Sequence, residues 1–231
     1  MEVEFELVDR VDPLCKLSAK EESRLFRNKR ELSAVEGNLL SQYKDVRDIY
    51  VTSSFNREGK TTCALQLAYA MTLSGHFKVL LVDMNTQAPC LHDMFQLPLS
   101  PGMMDFFLSD APLQPLVHRT EYQNLFLMTH GAMRGEGSSP LRGSTLHEKL
   151  ELLRGGFDFV VCDGTSVMGA SDASVAANIF SGVVIVLECE KTKWEVLQMV
   201  VEKMKDTGAR VLGVVLNKRK FYIPRFLYGK I

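Results

Sequence analysis

Six short apolar runs recur along the chain, and their spacing limits the folds that it can adopt. They cover residues 49–54, 78–83, 125–130, 157–163, 182–188 and 211–217, and most are rich in β-branched residues. Such runs are typical of strands buried on both faces, and most of the segments between them have helical periodicity. The pattern predicts an α/β fold: a doubly wound, mostly parallel sheet with helices on both faces, in a Rossmann-like three-layer arrangement.

Charge and cysteine usage exclude several classes of protein. The 27 basic and 28 acidic residues give a formal net charge of -1, so we expect no nucleic-acid partner. The five cysteines contain no CxxC pair and are typical of reduced thiols in the cytoplasm. No stretch approaches the ~18 apolar residues of a membrane span, and the N-terminus lacks the apolar core of a signal peptide. We expect a cytoplasmic protein, with a peripheral position at the inner face of the cell membrane as an alternative.

A phosphate-binding loop (P-loop) is predicted directly after the first apolar run. Residues 54–62 read SFNREGKTT and lead into an apolar helical segment. In a P-loop the backbone N–H groups and the helix N-terminus face the phosphates, the lysine neutralises phosphate oxygens, and the first hydroxyl binds Mg²⁺. Lys60 and Thr61 are expected to take these last two roles. The expected contacts to ATP or ADP come from Ser54, Asn56, Arg57, Glu58, Gly59, Lys60, Thr61 and Thr62.

The strict P-loop pattern has glycine where this chain has Ser54. The alternative interpretation is therefore a Gly-Lys-Thr helix start that binds no ligand. The strand before the loop and the helix after it favour the P-loop.

Two acidic residues end predicted strands and complete the expected site. Asp83 closes the second run and Asp163 closes the fourth. Ligands of open parallel sheets bind beyond the carboxyl ends of the strands, so both carboxylates are expected near the magnesium. Lys60, Asp83 and Asp163 are the candidate catalytic residues, and Thr61, Asp83 and Asp163 are the candidate metal ligands. Each aspartate alone has a simpler interpretation as a cap of the following helix.

Asn217 ends the last predicted strand and has two equally good interpretations. Its amide offers a donor and an acceptor to the edge of an adenine base. A strand-terminating asparagine also commonly serves only a turn.

With these motifs in place, the chain resembles the bacterial tyrosine kinases (BY-kinases) of capsule and exopolysaccharide export. The resemblance covers about residues 20 to 218. It rests on the loop SFNREGKTT, on an apolar run that closes in Asp83-Met84-Asn85-Thr86-Gln87, and on the stretch SSPLRGSTLHEKLELLRGGFDFVVCDG. It implies Mg-ATP-dependent tyrosine autophosphorylation and a membrane polysaccharide co-polymerase (chain-length determinant) as partner.

The resemblance also implies a homo-oligomer. Glu21, Arg24 and Arg27 fit the ExxRxxR element through which family members assemble into rings. Spacing of three keeps these charges near one helical face. A solvated helix that forms internal salt bridges is the alternative.

Several residues depart from the family pattern. Asn85 and Gln87 stand where the second motif has Asp and Arg, and the C-terminal tyrosine cluster is reduced to Tyr222 and Tyr228, the candidate phosphoacceptors. Asn cannot accept a proton and is a weaker magnesium ligand than Asp. A nucleotide-gated scaffold of the co-polymerase is therefore an alternative to the autokinase. A third reading, a partitioning or septum-placement ATPase (ParA-like or MinD-like), is disfavoured because Phe55 occupies the place of that class's signature lysine.

The domain assignment follows from these motifs. Residues 1–18 form an N-terminal extension, residues 19–217 the P-loop nucleotide-binding kinase-like domain, and residues 218–231 a basic-aromatic tail. An exposed helix is expected over residues 19–42, and loops or short irregular helices over residues 87–122 and 131–143. The tail is expected to contact the membrane export complex, or else to fold back on its own domain.

Overall fold

The computed structural model describes residues 14–26, 29–109, 111–132, 144–170 and 172–219. The helices are α1 (Ala19–Leu25), α2 (Lys29–Gln42), α3 (Lys60–Thr72), α4 (Leu91–Met94), α5 (Met103–Leu108), α6 (Ser144–Gly156), α7 (Asp172–Ala177) and α8 (Trp194–Asp206), with a 3₁₀ turn at Gln114–Leu116. The strands are β1 (Asp48–Ser53), β2 (Val79–Asp83), β3 (His118–Arg119), β4 (Leu125–Met128), β5 (Phe159–Asp163), β6 (Gly182–Glu188) and β7 (Val211–Asn217).

The strands form one sheet in the order β3-β4-β2-β5-β1-β6-β7. All neighbours are parallel except β3, which pairs antiparallel with β4. The predicted α/β class and the six predicted strands are confirmed. The two-residue β3 was not predicted, because it is too short to show any periodicity.

Both faces of the sheet are buried at β1, β2, β4 and β5, as the apolar runs require. In β5, Val160 and Cys162 join one core cluster, which α5, α6, α7 and α8 cover. Phe159 and Val161 face the opposite cluster, which α1, α2, α3 and α4 cover. Successive side chains of a strand point to opposite faces, so a continuous apolar run fills both cores at once.

The segment before β1 differs from its prediction. Instead of one helix over residues 19–42 there are two, α1 and α2. Phe26 ends α1, and its ring stacks on Tyr69 of α3 with centroids 3.8 Å apart. Cys15, assigned to the N-terminal extension, is buried and forms a parallel bridge with Thr120. Residues 14–18 therefore pack on the domain.

Membrane-crossing helices were not expected from the sequence. Among the residues that the structure describes, no helix combines the length and the apolar character that crossing a bilayer requires.

One edge of the sheet gathers the ends of the central strands. Asp83 of β2 and Asp163 of β5 are register partners, and Asp163 is also level with Val51 of β1. Two carboxylates therefore lie side by side at the carboxyl edge, next to the loop that follows β1. This is the position where open α/β sheets bind ligands.

At the opposite edge, Asp48 begins β1 as a fully buried carboxylate. Arg154 of α6 donates to its Oδ2 at 2.6 Å, and the Ser181 N–H donates to its Oδ1 at 2.8 Å. Removing one member of a buried ion pair leaves an uncompensated charge. This pair ties α6 to the centre of the sheet.

We expect Arg154→Met to lower the free energy of unfolding by about 3 kcal/mol, the lower end for buried pairs because Arg154 is partly exposed. Urea unfolding monitored by circular dichroism measures it. Arg210→Met is the matched control, because Arg210 pairs with the exposed Asp45. It should cost at most about 1 kcal/mol. If both variants lowered the free energy of unfolding equally, Asp48 and Arg154 would not be a buried, stabilising ion pair.

Candidate nucleotide-binding site

Residues 54–59 form a tight loop between β1 and α3. Arg57 and Gly59 both adopt left-handed backbone conformations, with φ of 68° and 99°. A Cβ at Gly59 would lie 2.0 Å from Nδ2 of Asn217. Only glycine therefore fits at this position, and the loop turns its backbone toward the N-terminus of α3.

Two side chains of the predicted site hold the loop in shape. The Glu58 carboxylate accepts hydrogen bonds from the N–H groups of Phe55 (2.7 Å) and Glu188 (3.4 Å), and from the Thr192 hydroxyl. Asn217 Nδ2 donates to the Glu58 carbonyl at 2.8 Å. Both residues thus connect the loop to β6 and β7. In this arrangement Asn217 serves the loop, and its predicted contact to adenine remains a prediction.

Lys60 and Thr61 begin α3 directly after the loop. The Lys60 side chain is buried, and Thr61 Oγ1 donates to Oδ2 of Asp163 at 2.6 Å. The other oxygen of Asp163, Oδ1, is buried and has no hydrogen-bond partner among the described residues. A buried carboxylate oxygen without a donor is the environment that a bound cation would complete.

The neighbouring carboxylate, Asp83, is engaged differently. Its Oδ1 accepts from the Asn85 N–H at 3.2 Å, and its Oδ2 accepts from the N–H groups of Cys90 and Leu91, both at 3.0 Å. These contacts hold the turn after β2 and the start of α4. Both oxygens of Asp83 thus have hydrogen-bond donors, and two of these donors lie at the start of α4. This agrees with the simpler interpretation of Asp83 as a helix cap.

The electrostatics of the two aspartates differ accordingly. Burial raises the pKa of Asp83, and its three backbone donors oppose this shift. Burial, followed by the repulsion of Asp83, raises the pKa of Asp163 to about 7, against the opposing effects of Lys60 and Thr61. Near neutral pH the Asp163 carboxyl is therefore partly protonated in the metal-free site, and a divalent cation would displace this proton.

Two further side chains of the second motif turn away from the carboxylates. Asn85 is buried; its Nδ2 donates to the Ala88 carbonyl at 2.8 Å and its Oδ1 accepts from the Ala88 N–H at 3.3 Å. Gln87 donates to the Gly169 carbonyl and accepts from the Ser166 hydroxyl. The Asn85 amide thus closes a local turn, through a donor that a carboxylate lacks, whereas the Gln87 amide connects this turn to the segment after β5.

The predicted site residues do not include a polar strip after β5, residues 164–166, which contacts the P-loop. Ser166 Oγ donates to Asn56 of the P-loop at 2.9 Å, and the Thr165 carbonyl accepts from Thr52 at 2.6 Å. The Gly164 Cα lies against the Tyr50 ring, where a Cβ would come within 2.2 Å. The position of this strip directly after Asp163 was the available signal for it.

The remaining predicted residues are placed as follows. Ser54 Oγ is buried and has no hydrogen-bond partner among the described residues, and Thr62 lies in the first turn of α3. Glu21 lies in the first turn of α1, and its carboxylate accepts from the Ser18 hydroxyl at 2.9 Å. The Arg24 side chain and residues Arg27, Tyr222 and Tyr228 lie outside the described part of the structure. The predicted interface and phosphoacceptors therefore stay predictions.

The arrangement fits a magnesium nucleotide. Among the described residues, no group of three or more His, Cys, Asp or Glu side chains is gathered in a way that could hold a metal ion. Mg²⁺ in phosphate sites needs no such group, since one or two protein oxygens, waters and the phosphates complete its octahedron. Thr61 Oγ1 and Asp163 Oδ1 supply oxygens of the required kind.

Comparison with known proteins agrees with this geometry. The sequence model of the AAA domain family matches residues 56–212 of this chain. The tyrosine-protein kinase CpsD of Streptococcus agalactiae serotype III (strain NEM316) is 24% identical over 187 residues, 80% of this chain and 80% of that protein.

Two solved structures extend the comparison. The VpsO kinase domain superposes with a TM-score of 0.75 at 26% identity, covering 88% of this chain and 100% of that chain. The septum site-determining protein MinD of Pyrococcus horikoshii OT3, complexed with Mg-ADP, gives a TM-score of 0.60 at 23% identity, covering 78% of this chain and 75% of that chain. The second likeness concerns the fold alone.

The raised pKa of Asp163 should make the stability of the metal-free chain depend on pH. The ordinary pKa of this carboxyl is 3.8, so between about pH 4 and pH 7 the folded chain keeps a proton that the unfolded chain releases. The contribution of this group to stability is therefore present below about pH 4 and is lost as the pH rises through about 7. Asp163→Asn should remove this loss, and should thus stabilise the metal-free chain more at pH 8 than at pH 5 while weakening Mg²⁺ binding.

Urea unfolding in EDTA at the two pH values measures the effect on stability, and Mg²⁺ titration measures the effect on binding. Asp206→Asn, at the exposed C-terminus of α8, is the control and should leave both unchanged. If Asp163→Asn and the parent showed the same pH dependence, the assignment of a buried, protonated Asp163 would be wrong.

Proposed function

Because this chain belongs to the AAA domain family and is similar to bacterial tyrosine kinases over four fifths of its length, we propose that it binds Mg-ATP and regulates exopolysaccharide synthesis and export. The observation that carries the proposal is the contact between Thr61 Oγ1 and Asp163 Oδ2 beside the buried Lys60. A threonine at a helix start and an aspartate at a strand end are the two magnesium-binding partners of a P-loop site.

Different residues of the site would bind the phosphates and the magnesium ion. Backbone N–H groups of the loop and of the N-terminus of α3 bind the phosphates, and Lys60 neutralises their β and γ oxygens. Thr61 and Asp163 would hold Mg²⁺, and the ion would supply positive charge that neutralises the phosphates. Asp163 must lose its proton to do so, because an ionised carboxylate is the ligand.

The geometry favours a nucleotide-gated scaffold over an efficient kinase. A tyrosine kinase needs a group that accepts the proton of the attacking hydroxyl. Backbone donors already engage both oxygens of Asp83 and use three of its about four acceptor positions. Asn85 cannot accept a proton, and its amide donates to the Ala88 carbonyl. Asp163 is the remaining carboxylate, and its expected role is at the metal. ATP binding is therefore better supported by this site than phosphoryl transfer to tyrosine.

The tyrosine autokinase is the second candidate, because the curated relative carries that name. Tyr222 and Tyr228 would be its acceptors, and Lys60, Asp83 and Asp163 its catalytic residues. The partitioning-type ATPase is less well supported, because Phe55, at the place of that class's signature lysine, is half exposed and cannot supply a charge.

The proposed setting follows the BY-kinase resemblance. It is the cytoplasm, at the inner face of the cell membrane, with a membrane polysaccharide co-polymerase as partner. Self-assembly would use Glu21, Arg24 and Arg27, and the first two of these residues lie on α1.

The first experiment is Mg-ATP binding by calorimetry. The parent should bind in the micromolar range, and Lys60→Met should weaken binding at least about a hundredfold, since a desolvated charge-assisted contact is lost. Lys193→Met, at the exposed start of α8, is the matched control and should bind like the parent. Equal affinity in Lys60→Met and the parent would overturn the P-loop assignment.

A second experiment separates the scaffold from the autokinase. After incubation with Mg-ATP, the intact mass of the scaffold should be unchanged, because Asp83 is engaged by backbone donors and Asp163 by the metal. Phosphotyrosine that disappears in a Tyr222→Phe, Tyr228→Phe double variant would instead establish the autokinase. The Lys60→Met chain, incubated in the same way, controls for phosphorylation by a contaminating kinase.

A further inference from the structure

Strand β7 has the composition of a central strand and the position of an edge strand. Its seven residues are five apolar ones (three Val and two Leu), one glycine and a final asparagine. In the sheet it pairs with β6 on one side, and no strand among the described residues pairs with its other side. Val214, Val215 and Leu216 are 39%, 39% and 63% exposed. Exposed apolar edges promote aggregation, and natural proteins cover them.

The neighbouring helix continues this apolar surface. On α8, Leu197, Val200 and Met204 are buried against the sheet, yet Trp194 at its start is 65% exposed. Trp194, Leu197 and Val201 line a groove of about 510 Å³ together with Val214 and Leu216 of β7. A groove of this size falls within the range of ligand pockets, ~300–1,000 Å³, and can take several large side chains.

We propose that the chain's own C-terminal segment, residues 220–231, fills this groove by folding back along β7. The path of the backbone supports this direction. Lys218, directly after β7, has a left-handed φ of 56°, which ends the strand in a turn. Its ammonium group donates to the Arg57 carbonyl at 2.6 Å and to Glu188 Oε2 at 3.0 Å. The segment therefore starts at a fixed point beside Leu216, at one end of the groove.

Length and composition of the segment fit the groove. Twelve extended residues reach ~40 Å, and the seven residues of β7 span ~23 Å. Phe221, Ile223, Phe226 and Leu227 supply apolar side chains. Pro224 is compatible with a segment that becomes the new edge of the sheet, where a missing N–H faces solvent.

Tethering also favours this occupant. Glu202 and Lys205 both line the groove, so its charges balance and its apolar residues dominate the lining. A segment tethered to the end of β7 acts at an effective concentration of about millimolar, above that of a second copy in dilute solution. A tail held in this way is not available to an anionic membrane, so the two fates of the tail exclude each other.

The chain has one tryptophan, Trp194, and it reports directly on the groove. We expect the emission of the full chain to be blue-shifted and shielded from acrylamide. A chain ending at Arg219 should show a red shift and stronger quenching. Adding a peptide of residues 220–231 to the shortened chain should restore the blue shift in a saturable way.

Point variants in the full chain test the same contact between the C-terminal segment and the groove without shortening the chain. Phe226→Ser with Leu227→Ser should reproduce the red shift, and Lys230→Ala, which keeps the apolar side chains, should not. Circular dichroism checks that each variant is folded. All measurements are made without nucleotide, so that they do not depend on the proposed function.

Three outcomes would overturn the proposal. The first is equal quenching of Trp194 in the full and the shortened chain. The second is shielding that grows with protein concentration in parallel with dimer formation in light scattering, which would identify a second copy as the occupant. The third is shielding that appears only with anionic phosphatidylglycerol vesicles, which would assign the tail to a membrane surface.

Discussion

The pairing of β2 with β5 places two carboxylates side by side in a water-poor environment, and the chemistry of the site follows from this constraint. Asp83 and Asp163 are register partners at the carboxyl edge of the sheet. Two like charges in such a position cannot both be ionised at low cost. The structure resolves the conflict unequally. Asp83 receives three backbone donors, whereas Asp163 receives the Thr61 hydroxyl and has one oxygen with no donor in the described part of the chain.

This division explains why the departures from the family motif are tolerated by the fold. Asn85 follows Asp83 by two residues, and its amide both donates to and accepts from Ala88. A carboxylate at position 85 could not donate to the Ala88 carbonyl, and it would add a third charge to the pair. The same amide that stabilises the turn thus removes a proton acceptor. Lys60 and Asp163, which belong to the proposed nucleotide site, keep the residue types of the motifs, whereas Asn85 does not.

Much of the fold could be predicted from the sequence, because short continuous apolar runs separated by helical segments are compatible with few other folds. The six strands and the loop before Lys60 follow from short-range patterns of this kind. The two-residue β3 and the break after Phe26 could not be predicted, since both depend on contacts with residues distant in sequence, such as Leu127 and Tyr69. In the site, the motifs identified positions 60, 61, 83 and 163 as candidate residues. The orientation of each side chain could not be predicted, because it depends on backbone donors that come from other loops.

The two roles weighed for Asn217 illustrate this difference. From the sequence, an amide at a strand end suits either an adenine edge or a turn. In the structure its Nδ2 binds the Glu58 carbonyl and its Oδ1 accepts the Lys218 N–H at 2.8 Å, while the Lys218 ammonium binds the Arg57 carbonyl. Two successive loop carbonyls are therefore held by two successive residues at the end of β7. Any movement of the loop that breaks these bonds must also release the point at which the chain leaves β7. The loop after β1 and the point at which the chain leaves β7 are thus parts of one hydrogen-bonded unit.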